Sequence, residues 1–107
     1  MPGVFGVRAG RVEIIVDRVD DGVGVFRDGT QVLHVHYKES DRVAWDLPTG
    51  QQAAIKLELY NQTGGPYEAT ISVNAGGQRI YQAIPRGWTF PGWSNVVWTD
   101  SCSLLAK

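Results

Sequence analysis

Two histidines in the first half of the chain have a spacing that could support metal binding. His34 and His36 are separated by one residue, and Glu39 follows three positions later. Alternate side chains of a strand lie on one face, so positions 34 and 36 would be roughly 6.5–7 Å apart along the backbone. Two imidazoles placed in this way can share a divalent metal, with Glu39 or Asp41 as a carboxylate ligand. The flanking apolar residues favour a simpler interpretation, in which both histidines lie on the polar face of a half-buried strand.

The segment around these histidines resembles the first metal motif of the cupins. Gly29 precedes the His34-Val35-His36 sequence, and Glu39 follows it. The resemblance implies a jelly-roll fold with a divalent metal held by His34, His36 and Glu39. The chain departs from the motif in its spacing and in lacking a third histidine, because it contains only two. A cupin-like metal-binding protein is therefore the alternative hypothesis, and the first expectation is a protein without a cofactor.

Aromatic residues cluster near the C-terminus, among prolines and glycines. Residues 88–93 are Trp-Thr-Phe-Pro-Gly-Trp, and an arginine lies two positions before them. Indole rings stack on sugar rings and are enriched at protein interfaces, while arginine donates hydrogen bonds to hydroxyl groups. The expected partner is a protein, a carbohydrate, or a second copy of the chain in a homo-oligomer. The candidate ligand-binding residues are Tyr81, Arg86, Trp88, Phe90 and Trp93.

No arrangement typical of a catalytic site is evident in the sequence. Cys102 would need a histidine base and an orienting carboxylate brought near it to act as a nucleophile, and its surroundings favour a small buried hydrophobic residue. The chain has no phosphate-binding glycine loop, no paired Cys-x-x-Cys motif and no nucleophile elbow. The sequence therefore favours a protein that is not an enzyme.

Composition indicates one ordered domain over residues 1–107. Hydrophobic residues make up 43% of the chain and charged residues 20%, which are ordinary values for a globular protein. The net charge of −1 gives no positive field to attract nucleic acid or an anionic membrane, so neither is an expected partner. The single cysteine and the absence of signal-peptide features predict a cytoplasmic protein, or a secreted one if a signal peptide has been removed.

Strict alternation of apolar and polar residues is the main structural signal. Residues 55–59 and 67–73 both alternate, which predicts strands with one buried face. The turn-forming residues 61–66 lie between them, so we predict that the two strands form a β-hairpin that needs a second sheet over it. Asp28-Gly29 predicts a second, tight hairpin between residues 23–27 and 30–37.

These elements predict an all-β fold. No segment of helical length repeats apolar residues at three and four positions. The pattern of about seven to nine short strands favours a two-layer antiparallel sandwich or jelly roll, with a small closed β-barrel as the alternative. The expected function is a non-catalytic binding or assembly module that uses the aromatic surface around Trp88 and Trp93.

Overall fold

A computed structural model describes residues 3–20, 22–36, 38–60, 66–89 and 96–107. Within these ranges the chain forms ten strands and no helix, where the sequence predicted about seven to nine strands. The strands are β1 (Val4–Val7), β2 (Gly10–Asp20), β3 (Gly22–Arg27), β4 (Thr30–Val35), β5 (Asp41–Leu47), β6 (Gln52–Tyr60), β7 (Pro66–Ala75), β8 (Gln78–Ala83), β9 (Arg86–Thr89) and β10 (Val96–Ala106).

The strands form two sheets that pack against each other as a sandwich, as predicted, rather than a closed barrel. The first sheet has the order β1-β10-β6-β3-β4. The second has the order β5-β2-β7-β8, and β9 pairs with the same edge of β7 as β8 does. Every pairing is antiparallel except that of β1 with β10, which is parallel.

The core lies between the inward faces of the two sheets, and the predicted alternation is confirmed there. In β6 the inward side chains are almost completely buried while the intervening ones are exposed or half-buried. Burying each large aliphatic side chain contributes about 1.5–3 kcal/mol, so this layer is the main source of stability. Its largest fully buried members include Ile14, Ile55, Leu57, Leu59, Ile71 and Leu104.

The prediction that residues 55–59 and 67–73 form a hairpin is wrong. β6 lies in the first sheet, between β10 and β3, whereas β7 lies in the second sheet, between β2 and β8. Both strands have one apolar face, but these faces meet across the core instead of lying side by side. Alternation identifies the buried face of a strand and does not identify its neighbour, so the sequence pattern was compatible with either arrangement.

The hairpin predicted at Asp28-Gly29 is confirmed. Arg27 pairs with Thr30, so the turn has two residues, and their φ angles are 50° for Asp28 and 84° for Gly29. Positive φ at both positions is the requirement of a type I′ turn, whose twist matches that of the flanking strands. Asp28 also joins this turn to β6, because its carboxylate accepts a hydrogen bond from Ala54 N at 2.8 Å.

Part of the chain between β8 and β10 forms the short strand β9. β9 contains Trp88 and pairs with the first residues of β7, with Glu68 opposite Arg86 and Pro66 opposite Thr89.

The described part of the chain contains no helix long and apolar enough to cross a membrane.

Candidate functional site

The outer face of the first sheet has a row of side chains that contact one another. Lys56, Glu58 and Tyr60 point outward from β6, alternating with the buried leucines and isoleucine. The Tyr60 hydroxyl donates a hydrogen bond to Glu58 Oε1 at 2.7 Å, and Lys56 Nζ lies 3.7 Å from Glu58 Oε2. Lys56 Nζ also lies 4.5 Å from the centroid of the Phe26 ring of β3, within the range of a cation–π contact. We call Phe26, Lys56, Glu58 and Tyr60 the outer-face row.

Gly24 makes room for the rings of this row. It lies opposite Glu58 of β6, in the middle of β3. A Cβ atom at this position would lie only 3.3 Å from Phe26 Cε1, 3.3 Å from Tyr60 Cε2 and 3.2 Å from Gln31 Nε2. The rings of Phe26 and Tyr60 therefore cover the β3 backbone in the space that a side chain at position 24 would occupy.

A cleft of about 300 Å³ lies at the Phe26 end of the row. Its floor consists of small outward residues on two neighbouring strands, because Ala54 of β6 pairs with Ser103 of β10 and Lys56 pairs with Ser101. Phe26 and Lys56 form one wall. The cleft thus combines two hydroxyl groups, one ammonium group and one aromatic ring, which together suit a ligand with several hydroxyls and an apolar face.

His34 and His36 lie on the same outer face, at its opposite end. Both side chains are exposed, Val35 between them is buried, and His34 pairs with Gly24 of β3. The preferred prediction, that they occupy the polar face of a half-buried strand, is therefore confirmed. Partial burial, and secondarily the positive charge of His36, lowers the pKa of His34 below its ordinary value. The two ring centroids are 4.4 Å apart, with 41° between the ring planes.

A role for Glu39 as a third metal ligand stays a prediction. The backbone N–H of Glu39 donates a hydrogen bond to His36 O at 3.0 Å, so the residue follows the histidines in a tight turn. Among the described residues, no group of three or more histidine, cysteine, aspartate and glutamate side chains is placed to hold a metal ion. The described geometry therefore brings together the two histidines and no further ligand of these types.

Of the predicted aromatic ligand-binding residues, the structure describes the environment of Tyr81 alone. Its ring packs against the core, and its hydroxyl donates a hydrogen bond to Asp100 Oδ2 of β10. This bond joins the second sheet to the first, and burial together with the Asp100 carboxylate raises the pKa of Tyr81. Arg86 and Trp88 lie in β9, where the backbone is described and the side chains are not, and Phe90 and Trp93 lie outside the described residues. Their ligand-binding roles stay predictions.

Cys102 is buried, as the sequence predicted, and its side chain faces inward from β10. Burial, and secondarily the charge of Asp100, raises the pKa of the thiol. A thiol with a raised pKa carries little thiolate at neutral pH and is a poor nucleophile. This environment suits a structural residue.

Two further clefts lie elsewhere in the described structure, and a buried indole N–H in the second of them, that of Trp45, has no hydrogen-bond partner. One of about 340 Å³ lies between β2 and β5, where Ser40 Oγ donates a hydrogen bond to Asp17 Oδ1 and lowers the pKa of that carboxyl. The other, of about 220 Å³, lies at an end of the sandwich, where the Arg27 guanidinium is 5.0 Å from the centroid of the Trp45 ring. The outer-face cleft is the stronger candidate because, of the three, only it combines an aromatic ring, an ammonium group and two serine hydroxyls.

Sequence reasoning missed the outer-face cleft. The alternation in β6 did indicate that Lys56, Glu58 and Tyr60 share the wet face, and Gly24 in a strand was a further signal. Ser101 and Ser103, however, reach the cleft only because β10 pairs with β6. No spacing in the sequence brings residue 54 next to residue 103, so the cleft could not be identified from local patterns.

The hydrogen bond between Tyr60 and Glu58 predicts a pH dependence of stability. Burial, followed by this bond, raises the pKa of Tyr60 to about 12. An unfolded tyrosine ionises near pH ~10. Between these values the unfolded chain binds fewer protons than the folded one, so stability falls as pH rises from about 10 to about 12. We expect urea unfolding midpoints to fall over this interval and to fall less in Tyr60→Phe, where the contribution of Tyr81 remains. An equal fall in both proteins would contradict the assignment.

Comparison with protein families, with curated proteins and with solved structures found no match for this chain. The geometry of the outer face of the first sheet is therefore the basis on which its function is inferred.

Proposed function

We propose that this protein is a non-catalytic binding module that binds a carbohydrate in the outer-face cleft. The observation that carries the proposal is the combination of an aromatic ring, an ammonium group and two hydroxyls around a cleft of about 300 Å³. Sugars present both a polar rim of hydroxyls and apolar C–H faces. A site for them needs the same two kinds of group close together.

The size of the cleft supports one sugar unit as the ligand. Small-molecule sites occupy about 300–1,000 Å³, and this cleft lies at the lower limit of that range. Its floor of alanine and serine leaves the backbone of β6 and β10 accessible from outside. A single sugar ring, either free or at the end of a polysaccharide, suits this space better than an extended chain.

The wall of the cleft is held in place before any ligand binds. Lys56 contacts both the Phe26 ring and Glu58, and Glu58 is in turn bonded to Tyr60. An ion pair at this level of exposure adds little to folding stability, about 0–1 kcal/mol. Its main effect is to fix the direction of the ammonium group, which reduces the entropy lost when a ligand binds.

The lining of the cleft supports binding in preference to hydrolysis. Glycoside hydrolysis generally uses two carboxyl groups on either side of the bond to be cleaved. The described residues that line the cleft include no aspartate, glutamate or histidine. Two carboxylates next to this lining are both engaged: Glu58 by Tyr60 and Lys56, and Asp28 by the backbone N–H of Ala54.

Titration with individual sugars tests this proposal. We expect glucose, galactose, mannose or N-acetylglucosamine to shift backbone amide NMR signals of β6 and β10 around Ala54 and Ser101. Phe26→Ala and the double variant Ser101→Ala/Ser103→Ala should each weaken binding by about five- to tenfold, because a ring contact or two hydrogen bonds are lost. Native gels containing soluble polysaccharide would show whether a chain end is bound as well as the free sugar.

A double tryptophan variant, compared with Phe26→Ala, distinguishes this cleft from the predicted aromatic surface. Trp88→Ala/Trp93→Ala should leave sugar binding unchanged. If that variant loses binding while Phe26→Ala keeps it, the ligand site is the Trp88/Trp93 segment and the cleft assignment is wrong. If sedimentation shows a dimer that the tryptophan variant abolishes, and no sugar binds, the module serves self-association instead.

The proposal includes a cytoplasmic location. The one cysteine of the sequence is buried and has no disulfide. A fold stabilised by its core without a disulfide suits a reducing compartment.

A further inference from the structure

The two histidines at the far end of the outer face form a second, separate feature. They lie on β4 and directly after it, at the edge of the first sheet, with both rings exposed. Buried Val35 fixes the strand between them, because turning either histidine inward would bring this valine out of the core. The two side chains therefore extend from the same accessible face.

The backbone on both sides of the pair is also fixed. Before the pair, β4 is hydrogen-bonded to β3 as far as Val35. After it, the backbone N–H of Glu39 donates a hydrogen bond to His36 O at 3.0 Å. The backbone N–H of Lys38 donates another to Val19 O at 2.9 Å. The backbone positions from which the two side chains extend are therefore set by the sheet and by these two bonds. Because this backbone is already ordered, binding of a common ion has to order only the two side chains.

The distance between the rings indicates which metal geometry they fit. With a metal–nitrogen bond of about 2.0–2.1 Å, an imidazole centroid lies about 3.2 Å from the metal. If the nitrogen–metal–nitrogen angle is a right angle, the two ring centroids lie about 4.5 Å apart. If that angle is tetrahedral, they lie about 5.2 Å apart. The observed separation is 4.4 Å, which is nearer to the value for the right angle when one nitrogen of each ring faces the common ion.

From this geometry we infer that His34 and His36 form a two-nitrogen chelate for a tetragonal divalent metal, Cu²⁺ or Ni²⁺, with water at the remaining positions. Right-angled nitrogen ligands suit these ions, while tetrahedral Zn²⁺ is a poorer fit. The site is distinct from the carbohydrate cleft and does not depend on it. Glu39 is not required as a ligand.

Titration with CuCl₂ and NiCl₂ at neutral pH tests the inference. Calorimetry should show one Cu²⁺ bound per chain, with Cu²⁺ bound more tightly than Ni²⁺ and Zn²⁺ bound more weakly than Cu²⁺. The electron paramagnetic resonance spectrum of the copper form should show coupling to two nitrogens. His34→Ala and His36→Ala should each weaken binding by about tenfold or more, since the second contact of a chelate forms at high effective concentration. Both side chains are exposed, so circular dichroism should show the fold unchanged.

Two control variants make the result specific. Glu39→Gln should keep the affinity and the spectrum, and a loss equal to that of the histidine variants would overturn the two-nitrogen assignment. Phe26→Ala should also leave metal binding unchanged, which separates failure of this site from failure of the carbohydrate proposal. Equal Cu²⁺ affinity in the double variant His34→Ala/His36→Ala would overturn the inference altogether.

Discussion

Replacing Leu59 with alanine is expected to lower the free energy of unfolding by about 3–5 kcal/mol. Leu59 is completely buried in β6, between Val23 of β3 and Trp98 of β10. Both neighbouring strands hold the backbone here, so the surroundings cannot move in to fill the space that the side chain leaves. The loss therefore includes the transfer of the side chain and most of the cost of the cavity.

Chemical denaturation of this variant is the direct measurement, and Leu105→Ala is its matched control. Leu105 lies near the end of β10, is partly exposed and lies outside the core. The same change of residue should there cost less than about 1.5 kcal/mol. At about 4–8 °C for each kcal/mol, the two variants should also differ clearly in melting temperature. Similar losses in both would contradict the position of the Leu59 side chain in the core between the two sheets.

Replacing Gly76 with alanine is expected to cost about 2–4 kcal/mol. Gly76 and Gly77 form the two-residue turn between β7 and β8, and Gly76 has a φ angle of 57°. A Cβ atom on Gly76 would lie 2.5 Å from Arg8 Cβ and 3.2 Å from Arg8 O. Both Arg8 atoms lie on or next to the backbone between β1 and β2, so neither can move without displacing that connection.

Gly77→Ala separates this steric effect from the backbone preference. Gly77 also has a positive φ, 80°, but a Cβ atom there would meet nothing within 4 Å. It should therefore show the conformational cost alone, about 1–2 kcal/mol. Urea denaturation of both variants gives the difference, which measures the contact between this turn and Arg8. If the two losses agree, the close approach of Arg8 does not occur in solution.

The proposed sites depend on the first sheet, which the Leu59 variant tests. The cleft needs β10 beside β6, and the histidine pair needs β4 beside β3. Leu59 lies in β6, between β10 and β3, so its loss should destabilise the whole face that carries both sites. Phe26, the two serines and the histidines lie on the outer side, where substitutions should change binding much more than stability.

Local backbone rules made part of this fold readable from the sequence. Side chains of a strand alternate between its faces, so the apolar residues of 55–59 identified the buried face of β6, and Val35 identified that of β4. The same rule placed His34 and His36 together on the wet face. Asp28 and Gly29 identified their turn, because few residues other than glycine and asparagine or aspartate take positive φ readily.

Only the tertiary structure decided which strands are neighbours. β6 and β7 are successive in sequence and were predicted to pair, yet they lie in different sheets; β1 and β10, from opposite ends of the chain, pair in parallel. The cleft between Phe26 and Ser103 follows from such pairings, and the hydrogen bond between Tyr81 and Asp100 follows from the packing of the two sheets. The physical reason is that the alternation of side chains depends only on the backbone of a single strand. Which strands pair depends on how all of them together bury their apolar surface.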